Sequence, residues 1–143
     1  METSGILEIR LVENSRKYWN FIRKLRNDTA IQKGFVEQVQ ITPAQQNKYM
    51  QKYNSNYYIC LNAENEPIGY IGEIGRDIRL AVVQEYQKKG VGKFMINSFM
   101  KLKPKSNAKV KLDNIASKRL FESCNFTMIS KDDKFYYFIK HDI

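Results

Sequence analysis

Gln87, Gly90 and Gly92 carry the most specific chemistry in this sequence. They follow Ile78, Leu80 and Val82, which alternate with Arg79 and Ala81 in the two-residue period of a half-buried strand. Beyond them the apolar positions become Val91, Met95, Phe99 and Leu102, a helical spacing. The two glycines therefore stand where a strand end passes into a helix start. Glycine there accepts positive φ and lets backbone N–H groups approach an anion. The helix start adds unpaired N–H donors and a partial positive charge. Anion binding is the chemistry such a junction offers; a plain helix-capping turn is the structural alternative. No Gly-Lys-Ser/Thr follows, as a P-loop requires, and the third glycine and downstream acid of a dinucleotide site are missing.

The elements that must position this junction are legible along the chain. Residues 6–12 alternate as a first strand, and Asn14 or Ser15 caps a helix to about Arg26 with Tyr18, Phe21, Ile22 and Leu25 inward. Residues 29–40 have no firm period, with a short turn at 34–36. Thr42, Pro43 and Gln45 make a capping box with proline at the first helical position, starting a helix to about Lys52. Strands are predicted over 56–62 and 67–74 around a turn at 63–66, the second weakened by Gly69 and Gly72. Residues 75–77 turn into the central strand. After the central helix come a loop at 104–107, a strand at 108–112, a helix capped by Asp113 or Asn114 to about Cys124, and a hairpin of strands 127–131 and 135–140. The order is β-α-α-β-β-β-α-β-α-β-β, which predicts a mixed α/β sheet with helices on both faces. The connection through the central helix is long enough for a parallel crossover.

With 143 residues, the chain predicts one domain able to bury a core, and its 43% hydrophobic and 13% aromatic content excludes a disordered chain. No apolar run reaches membrane-spanning length and no signal-peptide pattern opens the chain. Cys60 and Cys124 form no metal or redox motif, and the single histidine, His141, makes a structural zinc site untenable. A reduced, cytoplasmic protein is expected. The formal net charge is +9, and six lysines (88, 89, 93, 101, 103 and 105) lie between Gln87 and Lys105 with no acid among them. Such a run is a solvated face, an attractor for a polyanionic small molecule, or a nucleic-acid patch. No nucleic-acid-binding signature accompanies it, which weighs against nucleic acid.

Gln87-x-x-Gly90-x-Gly92 after a strand resembles the loop of the GCN5-related N-acetyltransferase (GNAT) superfamily that holds the pyrophosphate of acetyl-coenzyme A. A second segment supports the first: Asn114, Ser117, Leu120 and Phe126 match the superfamily's N-x-x-S/A-x-x-L-Y-x-x-x-G-F pattern. The resemblance at motif level covers residues 77–126, and the element order agrees across the chain. It implies a single acetyltransferase domain over 1–143, with a sheet of about seven strands and splayed central parallel strands. The pantetheine arm would lie between those strands, and monomer or homodimer is the expected state. Phe121 replaces a tyrosine that often protonates the leaving thiolate, Asn125 replaces a glycine, and Gln84 and Lys88 replace a frequent proline and glycine.

The resemblance also implies roles. Leu80, Ala81, Val82, Gln87, Lys88, Lys89, Gly90, Val91, Gly92, Lys93, Asn114, Ser117 and Phe121 would hold acetyl-CoA, with the backbone N–H near Val82 polarising the acyl carbonyl. Asp77 is the general-base candidate, with Glu73 in reserve; a plain turn residue is the alternative reading of Asp77. Ser117 is the candidate acid, or else a serine that bonds cofactor or backbone. The amine acceptor would meet the first two helices, the loop 25–42 and the closing hairpin, lined by Trp19, Arg26, Asn27, Phe35, Tyr136 and Tyr137. An acetyl-CoA-dependent N-acetyltransferase is the expected function. A non-catalytic acyl-CoA-binding regulator is the alternative that the missing tyrosine keeps open, and a nucleic-acid-binding module is the third.

Overall fold

The computed structural model describes residues 8–35 and 40–140. The expectations at residues 6 and 7, Val36 and His141 lie outside the described residues. The elements are β1 (Arg10–Glu13), α1 (Arg16–Asn27), α2 (Thr29–Gln32), α3 (Pro43–Tyr53), β2 (Tyr57–Leu61), β3 (Pro67–Ile74), β4 (Asp77–Val82), α4 (Val91–Leu102), β5 (Ala108–Lys111), α5 (Ile115–Ser123), β6 (Phe126–Lys131) and β7 (Phe135–Lys140). This is the expected order with one added α-helix, α2, and two single 3-10 turns, Asn54–Asn56 and Gln84–Tyr86. Asp28 nucleates α2, its carboxylate accepting from the N–H groups of Ala30 (2.9 Å) and Ile31 (3.4 Å).

The seven strands divide four and three. β1-β2-β3-β4 form one antiparallel sheet and β5-β7-β6 a second. The two meet in parallel at one bridge, Asp77 opposite Asn107, where the Ile78 N–H donates to the Asn107 carbonyl at 2.9 Å. Beyond that bridge β4 and β5 diverge. The splayed pair is thus a wedge, closed at Asp77 and open at Val82.

β4 shows different residues to its two sides. Ile78 joins a core with α4 (Val91, Met95, Ile96, Phe99), α5 (Phe121) and the second sheet (Val110, Phe126, Phe138). Ala81 joins the opposite core with Trp19, Ile22 and Leu25 of α1, Met50 of α3, and Tyr57, Ile59 and Tyr70. By strand alternation Asp77 and Arg79 share the α1 face with Ala81. The glycines of β3 permit close contacts. A Cβ on Gly72 would stand 2.5 Å from the Tyr57 ring and 2.6 Å from the Asn56 carbonyl oxygen, so the strand needs the missing side chain there.

Three expected inward residues differ. Leu102 is 51% exposed because it sits in the last turn of α4, past the core. Tyr18 and Phe21 are half-buried, and Trp19 takes the core position instead. The capping box at Thr42 forms: its hydroxyl accepts from the Gln45 N–H at 3.1 Å, and the Gln45 amide oxygen accepts from the Thr42 N–H at 2.9 Å. Asn125 has φ 69°, the left-handed geometry that asparagine tolerates where relatives use glycine.

Candidate active site

A cleft of about 600 Å³ opens along the wedge. Its walls are β4, the 84–92 turn, the start of α5, β5, and Ala30, Ile31, Gly34 and Phe35 after α1. The Val83 N–H bonds Ile68 of β3 at 3.0 Å, whereas the Ile78 N–H points to β5. Alternation therefore aims the N–H groups of Leu80 and Val82 into the wedge, where β5 has moved away.

The anion cradle closes the open end. Lys88 (φ 63°) and Gly90 (φ 88°) both adopt left-handed backbone, which curls the chain into α4. The first helical bond runs from the Phe94 N–H to the Gly90 carbonyl at 3.0 Å, leaving the N–H groups of Val91, Gly92 and Lys93 ahead of it. Lys88 and Lys93 line the cleft beside them. The two glycines do different work. A Cβ on Gly90 would meet nothing within 4 Å, so its conformation and the open space above it matter; a Cβ on Gly92 would stand 3.0 Å from Leu120 Cδ2, so its smallness seats α4 against α5. Gln87 turns its side chain back, its Nε2 donating to the Val82 carbonyl at 3.1 Å.

Asp77 stands at the closed end. Its Oδ1 is buried with no hydrogen-bond partner. Burial raises its pKa against the opposing pull of Lys109 and Arg79, so the carboxylate is a stronger base than usual. Ser117 lines the cleft from the first turn of α5. Its N–H donates to Asn114 Oδ1 at 3.1 Å, while its hydroxyl makes no hydrogen bond among the described residues. The cleft can thus bind an anion at one end, offer backbone donors midway and hold a proton acceptor at the other.

The sequence matches the description "Acetyltransferase (GNAT) family" over residues 19–126. The chain belongs to the GNAT acetyltransferase family. It is an N-acetyltransferase with acetyl-CoA as acyl donor. The cradle fits that donor: the space over Gly90 is open, and N–H donors and two lysines surround it. Similar solved structures include spermidine N-acetyltransferase from Vibrio cholerae in complex with CoA and spermine. It has a TM-score of 0.76 at 18% identity over 91% of this chain and 92% of that one. A domain from Methanocaldococcus jannaschii gives 0.77 at 19%, covering 93% and 98%. A GNAT family acetyltransferase from Bacillus anthracis gives 0.76 at 16%, covering 92% and 94%. At these identities the likeness is one of fold. A comparison with curated proteins gives no match.

Seen as a GNAT site, the cleft gathers Arg26, Phe35, Asp77, Leu80, Ala81, Val82, Gln87, Lys88, Gly90, Gly92, Lys93, Asn114, Ser117 and Phe121. Several expected residues are placed otherwise. The Val91 side chain is 1% exposed in the core, so it is the Val91 N–H that faces the cradle, and the Lys89 ammonium lies 5.7 Å from the Tyr86 ring centroid, outside the cleft. Trp19 packs under α3, its Nε1 donating to Asn54 Oδ1 at 2.8 Å; Trp19, Ile22 and Arg26 share one helical stripe, and only Arg26 reaches the cleft. Asn27 pairs both side-chain atoms with the Ile41 backbone at 2.8 Å, tying the end of α1 to the entry of α3. Tyr136 lies between Lys118 (5.7 Å) and Lys131 (5.9 Å), and the Tyr137 hydroxyl donates to Asp132 at 2.7 Å, so neither lines the cleft. Glu73 serves its hairpin, accepting from the Arg76 N–H at 2.9 Å. Asn114 is committed to protein contacts: besides capping α5, its Nδ2 donates to the Gly34 carbonyl at 3.1 Å.

Sequence reasoning missed Tyr70, Arg79 and Lys109, all cleft-lining. Tyr70 reads as ordinary strand core. A signal for Arg79 was available, since it is the single charge within the apolar run 78–83.

Proposed function

We propose that the protein transfers acetyl directly from acetyl-CoA to a primary amine, as one domain. The observation that carries this reading is the unpartnered Asp77 Oδ1 in a cleft whose other end is an anion cradle. Bound acetyl-CoA supplies the thioester acyl group. The Val82 N–H is the donor that polarises the carbonyl oxygen, and Asp77 takes the proton of the incoming amine through a water. As the C–N bond forms and the C–S bond breaks, the nitrogen sheds a second proton, which replaces the one that the Ser117 hydroxyl gives to the thiolate. Direct transfer is favoured over a cysteine-borne acyl group: both thiols are buried away from the cleft, and burial pushes Cys60 up to about 12.

The test is release of free thiol from acetyl-CoA over an amine panel, with acetyl-CoA binding measured in parallel. Thiol release with at least one amine is expected. Binding without release on any amine would replace this reading with that of an acyl-CoA-binding regulator. Gly90→Glu places a negative side chain in the cradle and should abolish acetyl-CoA binding in a protein that still melts cooperatively.

A further inference from the structure

The α1 side of the cleft holds charge that acetyl-CoA binding does not explain. Lys88 and Lys93 adjoin the cradle at the start of α4. Arg26, Arg79 and Lys109 line the cleft away from it. Arg79 projects on the α1 face of β4, Tyr70 pairs with Ala81 on that same face, and Arg26 ends the helix that packs there. Against these three cations the cleft has one carboxylate, Asp77. Among the described residues the one ion pair is Lys118–Glu122, on the outer surface of α5, so neither arginine has a salt-bridge partner, although Arg79 acts on the Asp77 carboxylate from a distance. Arg26 is held in place by the Tyr49 ring, 5.8 Å from its guanidinium. Tyr70 is 2% exposed, yet its hydroxyl makes no hydrogen bond among the described residues. Two unpaired guanidiniums and an unpartnered hydroxyl converging on one wall make a receptor for an oxyanion.

Resting on the transferase reading, we propose that the acceptor amine itself carries a carboxylate or phosphate, bound by Arg26, Arg79 and the Tyr70 hydroxyl. Asp77 is left to receive the amine. Anionic and amino groups on one small molecule match the two signs on this wall. A polycation would meet three like charges for one opposite one, and like charges at close range oppose binding. The neighbouring cations also favour the neutral, nucleophilic form of the amine.

The experiment compares matched amines as acceptors: phosphoethanolamine with ethanolamine, β-alanine with β-alaninamide, and spermidine. Turnover is read as thiol release and binding by calorimetry with coenzyme A saturating. The anionic member of at least one pair should exceed its neutral partner by about tenfold or more in kcat/KM and in affinity, the scale of one charge-assisted hydrogen bond. Which pair shows it distinguishes phosphate from carboxylate. Arg26→Gln and Arg79→Gln should each shrink that ratio about tenfold, and Arg79→Lys should restore part of it. Equal use of charged and neutral partners, a preference for spermidine, or an unchanged ratio in both variants would overturn the proposal. Calorimetric preference for the anion with no thiol release from any amine would overturn the transferase reading and leave the anion site standing.

Discussion

As the proposed base, Asp77 would join reactivity and instability in one residue. A buried carboxyl whose pKa is raised costs the fold stability when ionised: protonated and unstrained below the ordinary value of 3.8, it loses stability as pH rises through its folded pKa. Asp77→Asn should therefore raise the melting temperature at neutral pH, with the gain over wild type vanishing as pH falls below the carboxyl range. Thermal melts across that range check the sign. Turnover should fall in the same variant by about 10²- to 10⁴-fold, the contribution of a positioned base. That deficit should shrink as pH approaches the amine's own pKa, where solvent supplies neutral amine without help. A pH–rate profile with unchanged shape in the variant would remove Asp77 from the mechanism. Ser117→Ala should lower turnover by only about 10- to 100-fold, since a thiolate leaves readily.

At the scale of elements, Asn114 couples the α5 wall of the cleft to the wall that follows α2, which the proposed function assigns to cofactor and acceptor. One side chain caps α5 through the Ser117 N–H and holds the chain after α2 through the Gly34 carbonyl, each at 3.1 Å. Lys111 adds a second tie, its Nζ donating to the Lys33 carbonyl at 3.1 Å. Gly34 has room for nothing more, as a Cβ there would stand 2.7 Å from Asn114 Nδ2. Asn114→Ala should destabilise by about 1–2 kcal/mol and raise KM for the amine more than KM for acetyl-CoA. Thr42→Ala makes the control: it removes a capping box remote from the cleft, costs about 1 kcal/mol, and should leave both KM values alone. Equal effects of the two variants on KM would show that Asn114 is a helix cap and nothing else.

For the whole molecule, the net charge of +9 acts through where its lysines fall. Lys88 lines the cleft and Lys89 does not, although both belong to the same run. Lys88→Glu should weaken coenzyme A binding by about tenfold at low salt and by less at high salt, because partly exposed charges are screened over about 10 Å at 0.1 M. Lys89→Glu should do less at every salt concentration. Titrations at two ionic strengths test this, and equal losses for the two variants would place the effect in overall charge. The two sheets meet, among the described residues, at the single Asp77–Asn107 bridge, through the Ile78 N–H to the Asn107 carbonyl at 2.9 Å and the Asn107 N–H to the Arg76 carbonyl at 2.7 Å. Among the described residues no helix is long and apolar enough to cross a membrane.

Local rules were sufficient for the sequence to determine the elements. The Thr42 capping box, the alternation of β4 and the glycines at the start of α4 are decided by neighbours within five residues, and they appear where periodicity and turn chemistry put them. Only the tertiary structure decided which residues share a cleft, because side-chain direction in a helix or strand has meaning only once its partner face is known. Trp19 and Arg26 lie on one stripe of α1, yet one is core and the other lines the site, since the helix passes over the sheet and ends at the wedge. Asn27 carries groups that could serve chemistry and commits them to the backbone of Ile41, fourteen residues away, which local rules do not bring near. Arg79 and Tyr70 share a cleft wall with Arg26 only because β3 and β4 lie side by side in one sheet and α1 packs across that face. A charge within an apolar strand becomes a candidate binding group when the fold lines a cleft with it and gives it no salt bridge among the described residues.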